Sequence, residues 1–293
     1  MILLDYSQVV ISTITADIGS RNNQHLDADL LRHMVLNTIR SYNQKYRSTY
    51  GEMVIACDSR NYWRKDIFPY YKANRKKNRE SSGIDWDTIF KVMGSVREEL
   101  HSIFPYKTIH IDRVEADDII AVLAEWAIKN DTKAVLFDER PNPVLIVSGD
   151  SDFIQLQKWK EVNQYSPILR KMLTEKNPER FLLDHILHGD TGDGVPNVLS
   201  KDNCLAEGIR QKPMMKKYVD QWLKDESTMP TTDEFKRNFA RNKTLIDLGM
   251  IPMEIKNTIL EEFLNQPKKD RSKLINYFIA NKMKGLLDVV SDF

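Results

Sequence analysis

The sequence predicts an α/β fold, with a mainly parallel central sheet covered by helices on both faces and a mostly helical C-terminal region. Two observations carry this prediction. Four short runs of β-branched and aliphatic residues, typical of buried parallel strands, alternate with segments of helical apolar spacing over residues 1–158. Such alternation is typical of parallel strands joined by helical crossovers. From about residue 202 onward the chain is polar with apolar residues at helical spacing, which predicts helices.

The elements follow in chain order. The predicted strands lie at residues 2–4, 53–57, 108–111 and 144–147. One amphipathic helix is predicted around Leu30 to Tyr42, and a second begins near Asp85 and stops before Pro105. Residues 165–184 are predicted to be irregular, and residues 188–198 are too rich in glycine and turn formers for a helix. A boundary near residue 180 is predicted to divide a catalytic domain, 1–180, from a helical domain, 181–293.

Charge is distributed unevenly along the chain. The 293 residues carry a formal net charge of +1, with 41% hydrophobic and 29% charged residues, which fits a soluble globular protein of one large or two modest domains. Residues 60–82, however, hold eight basic and two acidic residues. A basic segment of this kind suits a polyanionic substrate.

Two features of the sequence indicate the cellular compartment in which the protein is expected. Cys57 and Cys204 are the only cysteines, so no disulfide framework is predicted. The chain opens directly into a predicted strand, without a basic leader region or a stretch able to span a membrane. We therefore expect a cytoplasmic, monomeric protein with no membrane partner.

Carboxylates follow each of the four predicted strands, and two more lie in the glycine-rich turn near residue 190. The nine carboxylates are Asp5, Asp58, Glu115, Asp117, Asp118, Asp150, Asp152, Asp190 and Asp193. Acids that leave parallel strands at the same end converge, and they repel each other unless a cation neutralises them. Hard oxygen ligands select Mg²⁺ or Mn²⁺, and two such ions can hydrolyse a phosphodiester. The set therefore predicts a site for magnesium-dependent phosphate chemistry.

Other interpretations of single residues remain open at this stage. Any one acid at the end of a strand is more often a helix cap or a turn residue. For Asp118, support of a neighbouring ligand and direct ligation are equally open. No nucleophilic triad or phosphate-binding loop with a Gly-Lys-Ser/Thr motif is evident, so ATP hydrolysis is not indicated. The histidines, His185 and His188 among them, are interpreted as ordinary single residues.

Aromatic and basic residues are mixed between Tyr62 and Arg75. Lys72 and Arg75 are spaced one helical turn apart beside Tyr71, so two cations could grip a phosphate while a ring stacks on a base. The run that follows, residues 76–79, is interpreted as a solvated surface.

Together the motifs resemble the flap endonuclease and 5′-nuclease family, and within it the members encoded by T4-like bacteriophages. The matching stretches are Leu3–Gln8, Ala56–Asp58, Tyr62–Asp66, Tyr70–Arg75, Glu115–Asp118, Ser148–Phe153, Gly189–Asp193, Leu245–Asp247 and Ile251–Pro252. The resemblance thus extends over nearly the whole chain in order.

The resemblance implies a PIN-like 5′-nuclease fold and a metal-dependent 5′→3′ exonuclease or flap endonuclease with RNase H activity. The expected substrates are DNA and RNA–DNA hybrids with 5′ ends, flaps or forks, and the expected role is removal of RNA primers in lagging-strand replication. A single-strand-binding protein and a sliding clamp are implied as partners, in the host cytoplasm for a phage-encoded protein. The implied cofactors are two Mg²⁺ ions, for which Mn²⁺ can substitute.

The resemblance also implies individual roles. One ion is assigned to Asp58, Glu115, Asp117, Asp150 and Asp152, and Asp118 is included among the metal-site acids. The second ion is placed near Asp5, Asp152, Asp190 and Asp193, partly through water. Lys72 and Arg75 match a basic pair on an arch (residues 60–82) that contacts the scissile phosphate. The expected catalytic set is Lys72, Arg75, Asp5 and Asp152, and the expected substrate contacts are Arg64, Tyr71, Lys72 and Arg75.

The chain departs from the family pattern after Asp193. Gly194 stands where many members have Asn, and residues 196–202 lack the glycines of the usual DNA-binding helical hairpin, so the motif is diverged. The resemblance therefore does not imply that the region after Asp193 binds duplex DNA through a standard hairpin, or that it holds a monovalent ion.

Two other functions are compatible with such a site. One is a single-strand endoribonuclease of the related PIN type, although such domains are usually shorter and lack a basic arch. The other is a non-catalytic branched-DNA-binding protein, against which the full set of acids argues. Residues 286–293 also have two interpretations, either a final helix that packs on its own domain or a short apolar recognition peptide.

Overall fold

In the computed structural model, which describes residues 1–21, 27–131 and 140–293, six strands form one sheet. The strands are β1 (Ile2–Asp5), β2 (Met53–Cys57), β3 (Lys107–His110), β4 (Val144–Val147), β5 (Val162–Ser166) and β6 (Lys171–Leu173). Their order in the sheet is β3-β2-β1-β4-β5-β6, with every pair parallel except β5 and β6. The four predicted strands match β1–β4 to within one residue, so the predicted mainly parallel sheet is confirmed.

The strand order reverses at the centre of the sheet. From β1 the chain runs outward through β2 to β3, and it then returns to the other side of β1 to form β4. In open parallel sheets the functional crevice lies at such a switch point, outside the carboxyl ends of the strands. Here Asp5 ends β1, and Asp150 follows β4.

Helices cover both faces of this sheet. In the described ranges they are α1 (Tyr6–Arg21), α2 (Ala28–Tyr50), α3 (Arg64–Ile67), α4 (Asn74–Glu80), α5 (Trp86–Ser102), α6 (Ala116–Lys129), α7 (Pro178–His188), α8 (Lys216–Trp222), α9 (Asp233–Ile246), α10 (Met253–Asn265), α11 (Leu274–Ala280) and α12 (Lys284–Leu287). Short 3₁₀ helices occupy Ser151–Lys158, Glu226–Thr228, Leu248–Met250 and Val290–Asp292. None of these helices is both long and apolar enough to cross a lipid bilayer.

Two cores lie against the sheet, and both draw on the C-terminal half of the chain. On one face α1, α2 and α5 pack with α11 and α12, through residues such as Leu274 and Phe278. On the other face α6 packs with α10 and the 3₁₀ helix after β4, through residues such as Ile259. The proposed division at residue 180 therefore stays a prediction, because residues from either side of it share these two cores.

The end of the chain is part of the first core. Phe293 is 1% exposed and contacts Phe104 and Phe278, and its carbonyl oxygen accepts a 2.5 Å hydrogen bond from Arg271 Nε. Leu286 is buried in the same core. The structure thus confirms local packing for residues 286–293.

Two predictions of local structure are wrong. Residues 165–184 are not irregular, since they hold the end of β5, all of β6 and the first half of α7. Lys72 and Arg75 do not share a helical turn, because α4 begins at Asn74 and Lys72 lies outside it with a φ of 57°. The positive φ therefore marks a turn of the backbone at Lys72, before α4 begins.

Candidate active site

Four acids line one cavity at the carboxyl edge of the sheet. We call Asp5, Asp58, Asp117 and Asp150 the open acids, because they line a cavity of about 880 Å³. Asp5 ends β1, Asp58 follows β2, Asp150 follows β4, and Asp117 lies in the first turn of α6. Lys72 and Arg75 line the same cavity. The convergence predicted from the strand ends is therefore present.

Backbone and hydroxyl groups orient the open acids. Asp5 accepts hydrogen bonds of 3.0 Å from the Gln8 backbone N–H and from Ser148 Oγ. Asp58 accepts one of 2.9 Å from the backbone N–H of Ala116, and Asp150 caps the following 3₁₀ helix. These bonds hold the carboxylates in place without neutralising their charge.

The open acids carry more negative charge than their surroundings compensate. Burial, followed by the charge of Asp58, raises the pKa of Asp5 to about 7. Burial and the charge of Asp152 raise the pKa of Asp150 to about 6. Burial and the charge of Asp150 also raise the pKa of Asp117 well above its ordinary value. Crowded carboxylates with raised pKa values are a donor set of hard oxygens, which fits Mg²⁺ or Mn²⁺.

Glu115 and Asp118 lie behind the open acids, fully buried. The guanidinium of Arg64 pairs with Glu115 at 2.7 Å and with Asp118 at 2.8 Å, and its Nε donates to the carbonyl oxygen of Leu245. Asp118 also accepts hydrogen bonds from Trp63 Nε1 and from the Glu115 backbone N–H, at 3.0 and 3.1 Å. The structure corrects one prediction here, because Arg64 is enclosed rather than exposed to substrate. Of the two interpretations open for Asp118, the structure favours support, since Asp118 bonds the start of α6 and Arg64 and does not line the cavity.

Lys72, Tyr71 and Arg75 join this buried layer to Asp193. The ammonium of Lys72 bonds Glu115 and lies 3.6 Å from Asp193, while Arg75 pairs with Asp193 at 2.5 Å. Tyr71 is buried, and its hydroxyl donates to Asp193 at 2.8 Å. Stacking of Tyr71 on a base is therefore wrong for this conformation, because the ring has no open face.

Opposed effects act on the pKa values of this group. Burial lowers the pKa of Lys72, but the charges of Asp193 and Glu115 outweigh burial and raise it. Burial raises the pKa of Asp193, but Lys72 and Arg75 bring it below its ordinary value. Lys72 and Arg75 are therefore cationic and Asp193 is anionic at neutral pH.

A close backbone approach fixes the basic segment against the glycine-rich turn. The Lys72 backbone N–H donates to the Asp193 carbonyl oxygen at 2.7 Å. Gly194 has a φ of 74°, and a Cβ there would lie 2.9 Å from the carbonyl oxygen of Tyr70. Glycine at this position thus lets the segment that carries Lys72 approach the acids.

Asp152 and Asp190 form a third group with His185, a residue whose sequence context indicates no more than an ordinary histidine. His185 Nε2 lies 2.8 Å from Asp152 Oδ1 and 3.8 Å from Asp190 Oδ2. Burial lowers the pKa of His185, but the hydrogen bond and charge of Asp152 raise it above its ordinary value. The helical spacing of Leu182, Ile186 and Leu187 after Asn177-Pro178 could have placed His185 on a helix leading to Asp190.

A second cavity, of about 780 Å³, lies at the opposite edge of the sheet. It borders Met1 and Met53, where β1 and β2 begin, and its acids are Glu52 and Asp131. Because the strand-end acids lie at the other edge, this cavity is not the candidate active site.

Two family models match the chain in succession. Residues 9–182 match the N-terminal resolvase-like domain of 5′-3′ exonucleases, and residues 176–293 match the C-terminal region of T4 RNase H. The chain belongs to the 5′-3′ exonuclease family. The predicted nuclease family and the predicted enzyme class are thereby confirmed.

Individual relatives agree with this family. The chain is 32% identical to the ribonuclease H of Enterobacteria phage T4 over 303 aligned residues, which cover 99% of this chain and 95% of that protein. It is 31% identical to the flap endonuclease Xni of Shewanella pealeana over 46% of this chain and 48% of that protein. The predicted resemblance to phage members of the family is confirmed.

Solved structures of a protein from phage T5 share the fold of this chain. The T5 D15 protein co-crystallised with metal ions aligns with a TM-score of 0.59 at 17% identity, covering 90% of this chain and 97% of that one. A D15 flap endonuclease complex with DNA and metal ions aligns equally well. At 17% identity this likeness shows that the two proteins share a fold. The predicted PIN-like architecture of this 5′-3′ exonuclease family member is thereby confirmed.

Proposed function

We propose that this protein is a divalent-metal-dependent 5′→3′ exonuclease and flap endonuclease acting on the 5′ ends of RNA–DNA and DNA duplexes. The cavity that Asp5, Asp58, Asp117 and Asp150 share with Lys72 and Arg75 is the observation that supports this function most directly. It places hard oxygen ligands beside two cations, which suits a phosphodiester bound next to metal ions. Membership of a nuclease family adds to this support.

The cofactors we propose are two Mg²⁺ ions, with Mn²⁺ able to substitute. One ion would be held by Asp58, Glu115, Asp117, Asp150 and Asp152, and the other by Asp5, Asp152, Asp190 and Asp193, partly through water. Bound ions would supply charge neutralisation and a water of lowered pKa. The raised pKa values of Asp5 and Asp150 favour this assignment, since a nearby dication relieves the repulsion that raises them.

Lys72 and Arg75 are proposed to hold the scissile phosphate. Their side chains line the cavity beside the open acids. Because Lys72 is buried, its side chain is restricted to a few positions near Glu115. A cation fixed in this way stabilises charge that develops on phosphate oxygens without reorganising during the reaction. Arg75, whose side chain is 45% exposed, is the more accessible of the two to an incoming strand.

The cavity continues away from the acids between α1, α2 and the β5–β6 hairpin. Its wall there carries hydroxyl and amide groups, including Gln8 and Ser12, the cation Arg170, and apolar residues such as Ile11 and Ile168. Hydroxyl, amide and cationic groups are those that contact a nucleic-acid backbone. This part of the cavity is proposed to contact the backbone of the strand adjoining the 5′ end.

Removal of RNA primers during lagging-strand synthesis is the proposed biological role. Support comes from the 32% identity to the T4 protein named ribonuclease H. A role beside a single-strand-binding protein and a sliding clamp, in the cytoplasm of a host cell, belongs to the same proposal.

Two 5′-labelled substrates test the activity, a DNA flap and a nicked duplex with an RNA 5′ segment. We expect the purified protein to release short 5′ products from both with Mg²⁺ and from neither with excess EDTA. Asp150→Asn should abolish release at millimolar Mg²⁺. Asp184→Asn is the matched control, because the side chain of this acid of α7 is about half exposed and bonds His188 outside the cavity.

Each alternative predicts a different result in this assay. Equal cutting within single-stranded RNA, without preference for a 5′ end, would indicate an endoribonuclease. Tight binding of the flap without cleavage in either Mg²⁺ or Mn²⁺ would indicate a branched-DNA-binding protein and would overturn the proposal.

A further inference from the structure

An imidazole lies between two of the acids that the proposed function assigns to the second metal ion. His185 Nε2 is 2.8 Å from Asp152 Oδ1 and 3.8 Å from Asp190 Oδ2, and one ligand atom of each residue lies within 4.8 Å of the others. The three side chains are 14–24% exposed, so an ion can reach them from solvent. No other group of three such residues in the described part of the chain meets this criterion.

The fold brings His185 to this place from an unrelated part of the sequence. His185 lies near the end of α7, one turn before Gly189, and α7 packs against the 3₁₀ helix that carries Asp152. The ring of Phe181 lies one turn earlier on α7, 6.1 Å from the imidazole and tilted by 33°. This contact restricts the ring, and Nε2 is directed at Asp152, with Asp190 next to it.

Imidazole changes which ions such a group prefers. Mg²⁺ takes oxygen ligands almost exclusively and gives up its water reluctantly. The affinity of a site that contains nitrogen rises from Mn²⁺ through the later first-row ions, and Mn²⁺ accepts an imidazole nitrogen more readily than Mg²⁺ does. A site with two carboxylates and one imidazole therefore favours Mn²⁺ more than an all-carboxylate site does.

We propose that His185 is a direct ligand of the second metal ion, together with Asp152 and Asp190, and that it raises the preference of this site for Mn²⁺ over Mg²⁺. The inference rests on the proposed two-metal function and refines it by naming the ligand atom, Nε2. Without an ion, His185 Nε2 bonds Asp152; with one bound, both atoms turn to the ion and the hydrogen bond between them is replaced.

Pulsed electron paramagnetic resonance on Mn²⁺-loaded protein tests the ligand directly. We expect modulation from a directly bound imidazole ¹⁴N in the wild-type protein. His185→Gln should remove this modulation, while His188→Gln should retain it. His188 is the matched control, because it ends the same helix, is about half exposed and bonds Asp184 rather than the acids of the site.

Titration with free Mn²⁺ provides a second readout that does not depend on cleavage. His185→Gln should weaken Mn²⁺ binding at one site about tenfold or more, a loss typical of disturbed metal ligation. Mg²⁺ binding, measured by competition, should change by no more than about threefold, because magnesium gains little from nitrogen. Circular dichroism and the melting temperature of the variant check that α7 remains folded.

The possible results separate this inference from the proposed function. Wild-type protein that cleaves the flap and binds two Mn²⁺ ions without ¹⁴N modulation would overturn the role of His185 alone. The same holds if modulation persists in His185→Gln. A wild-type protein that neither cleaves nor binds Mn²⁺ would overturn both the inference and the two-metal function.

Discussion

At the scale of single residues, the acids of the site differ in which cations surround them. Glu115 and Asp193 already bond Lys72 or Arg75, and Asp118 is paired with Arg64. The open acids have no comparable ion pair within the described ranges. Replacing one of these three paired acids breaks a buried ion pair, whereas replacing an open acid removes repulsion between carboxylates.

Asp150→Asn should stabilise the metal-free protein at high pH. The pKa of Asp150 is raised to about 6, so between pH 4 and 6 the folded chain keeps a proton that the unfolded chain loses. Its contribution to stability therefore falls as pH rises through this window and stays low above it. In EDTA at pH 8, urea unfolding should show the variant more stable by about 1–3 kcal/mol. The free energies of unfolding of the variant and the wild type should become equal near pH 4. A difference that stays constant at all pH values would show that the raised pKa of Asp150 is not its cause.

Arg64→Met should destabilise the fold rather than weaken substrate binding. Glu115 and Asp118 would remain buried without their guanidinium, which costs about 3–5 kcal/mol when one partner of a buried ion pair is removed. Arg113→Met is the control, because Arg113 and Asp66 are both more than half exposed and such pairs contribute about 1 kcal/mol at most. Unchanged unfolding with a loss of DNA affinity would restore Arg64 as a substrate contact.

Lys72→Ala should slow the chemical step more than it weakens binding. A cation held beside the scissile phosphate acts mainly in the transition state, so the single-turnover rate should fall about a hundredfold. Lys76→Ala should leave the rate unchanged, because that side chain is 82% exposed on the outer face of α4. If only the Kd for the flap rises and the rate is kept, Lys72 is a tether and not a catalytic group.

At the scale of elements, the C-terminal segment stabilises the sheet through one aromatic cluster. Phe293 packs with Phe104 and Phe278, beneath the helices that cover one face of the sheet. A chain end that is tied down in this way differs from the mobile termini of most domains.

Phe293→Ala should therefore lower the melting temperature by several degrees. Removing a buried phenylalanine side chain costs about 3–5 kcal/mol, and each kcal/mol shifts Tm by about 2–4 °C in a chain of this size or slightly smaller. Ser291→Ala, at an exposed position of the same segment, should leave Tm unchanged in differential scanning calorimetry. An unaltered Tm in Phe293→Ala, with loss of stimulation by a partner protein, would instead indicate a recognition peptide.

At the scale of the whole molecule, the sheet depends on helices that lie more than 70 residues beyond its last strand. Helices α10, α11 and α12 fill the two cores on opposite faces, so residues 1–180 by themselves would expose Phe104 and Trp126, whose rings contact Phe278 and Phe263 in the full chain. The two family models meet near residue 180, whereas both cores combine residues from either side of that position.

A fragment of residues 1–180 should consequently fail to fold cooperatively. The apolar surface left without α10 to α12 favours aggregation or a loosely packed state, because its burial supplies much of the stability. Urea unfolding followed by near-ultraviolet circular dichroism should show a sharp transition for the full chain and none for the fragment. A sharp transition in the fragment would make residues 1–180 an independent domain.

The sequence by itself determined β1 to β4, the convergence of the open acids and the helical C-terminal half. Continuous apolar runs specify buried parallel strands, and parallel strands deliver the residues that follow them to one edge. It did not determine β5, because the sequence VNQYS is mostly polar and lacks such a run; this strand takes its conformation from pairing with β4 and β6.

Only the tertiary structure decided which acids are open and which are paired. Arg64 meets Glu115 across 51 positions of sequence, and His185 meets Asp152 across 33. Such contacts depend on how α3 and α7 dock, which no local pattern specifies, because side chains distant in sequence become neighbours only when the cores between them are packed. The local sequence thus determines which charged residues reach the site, and tertiary packing determines which partner each of them has.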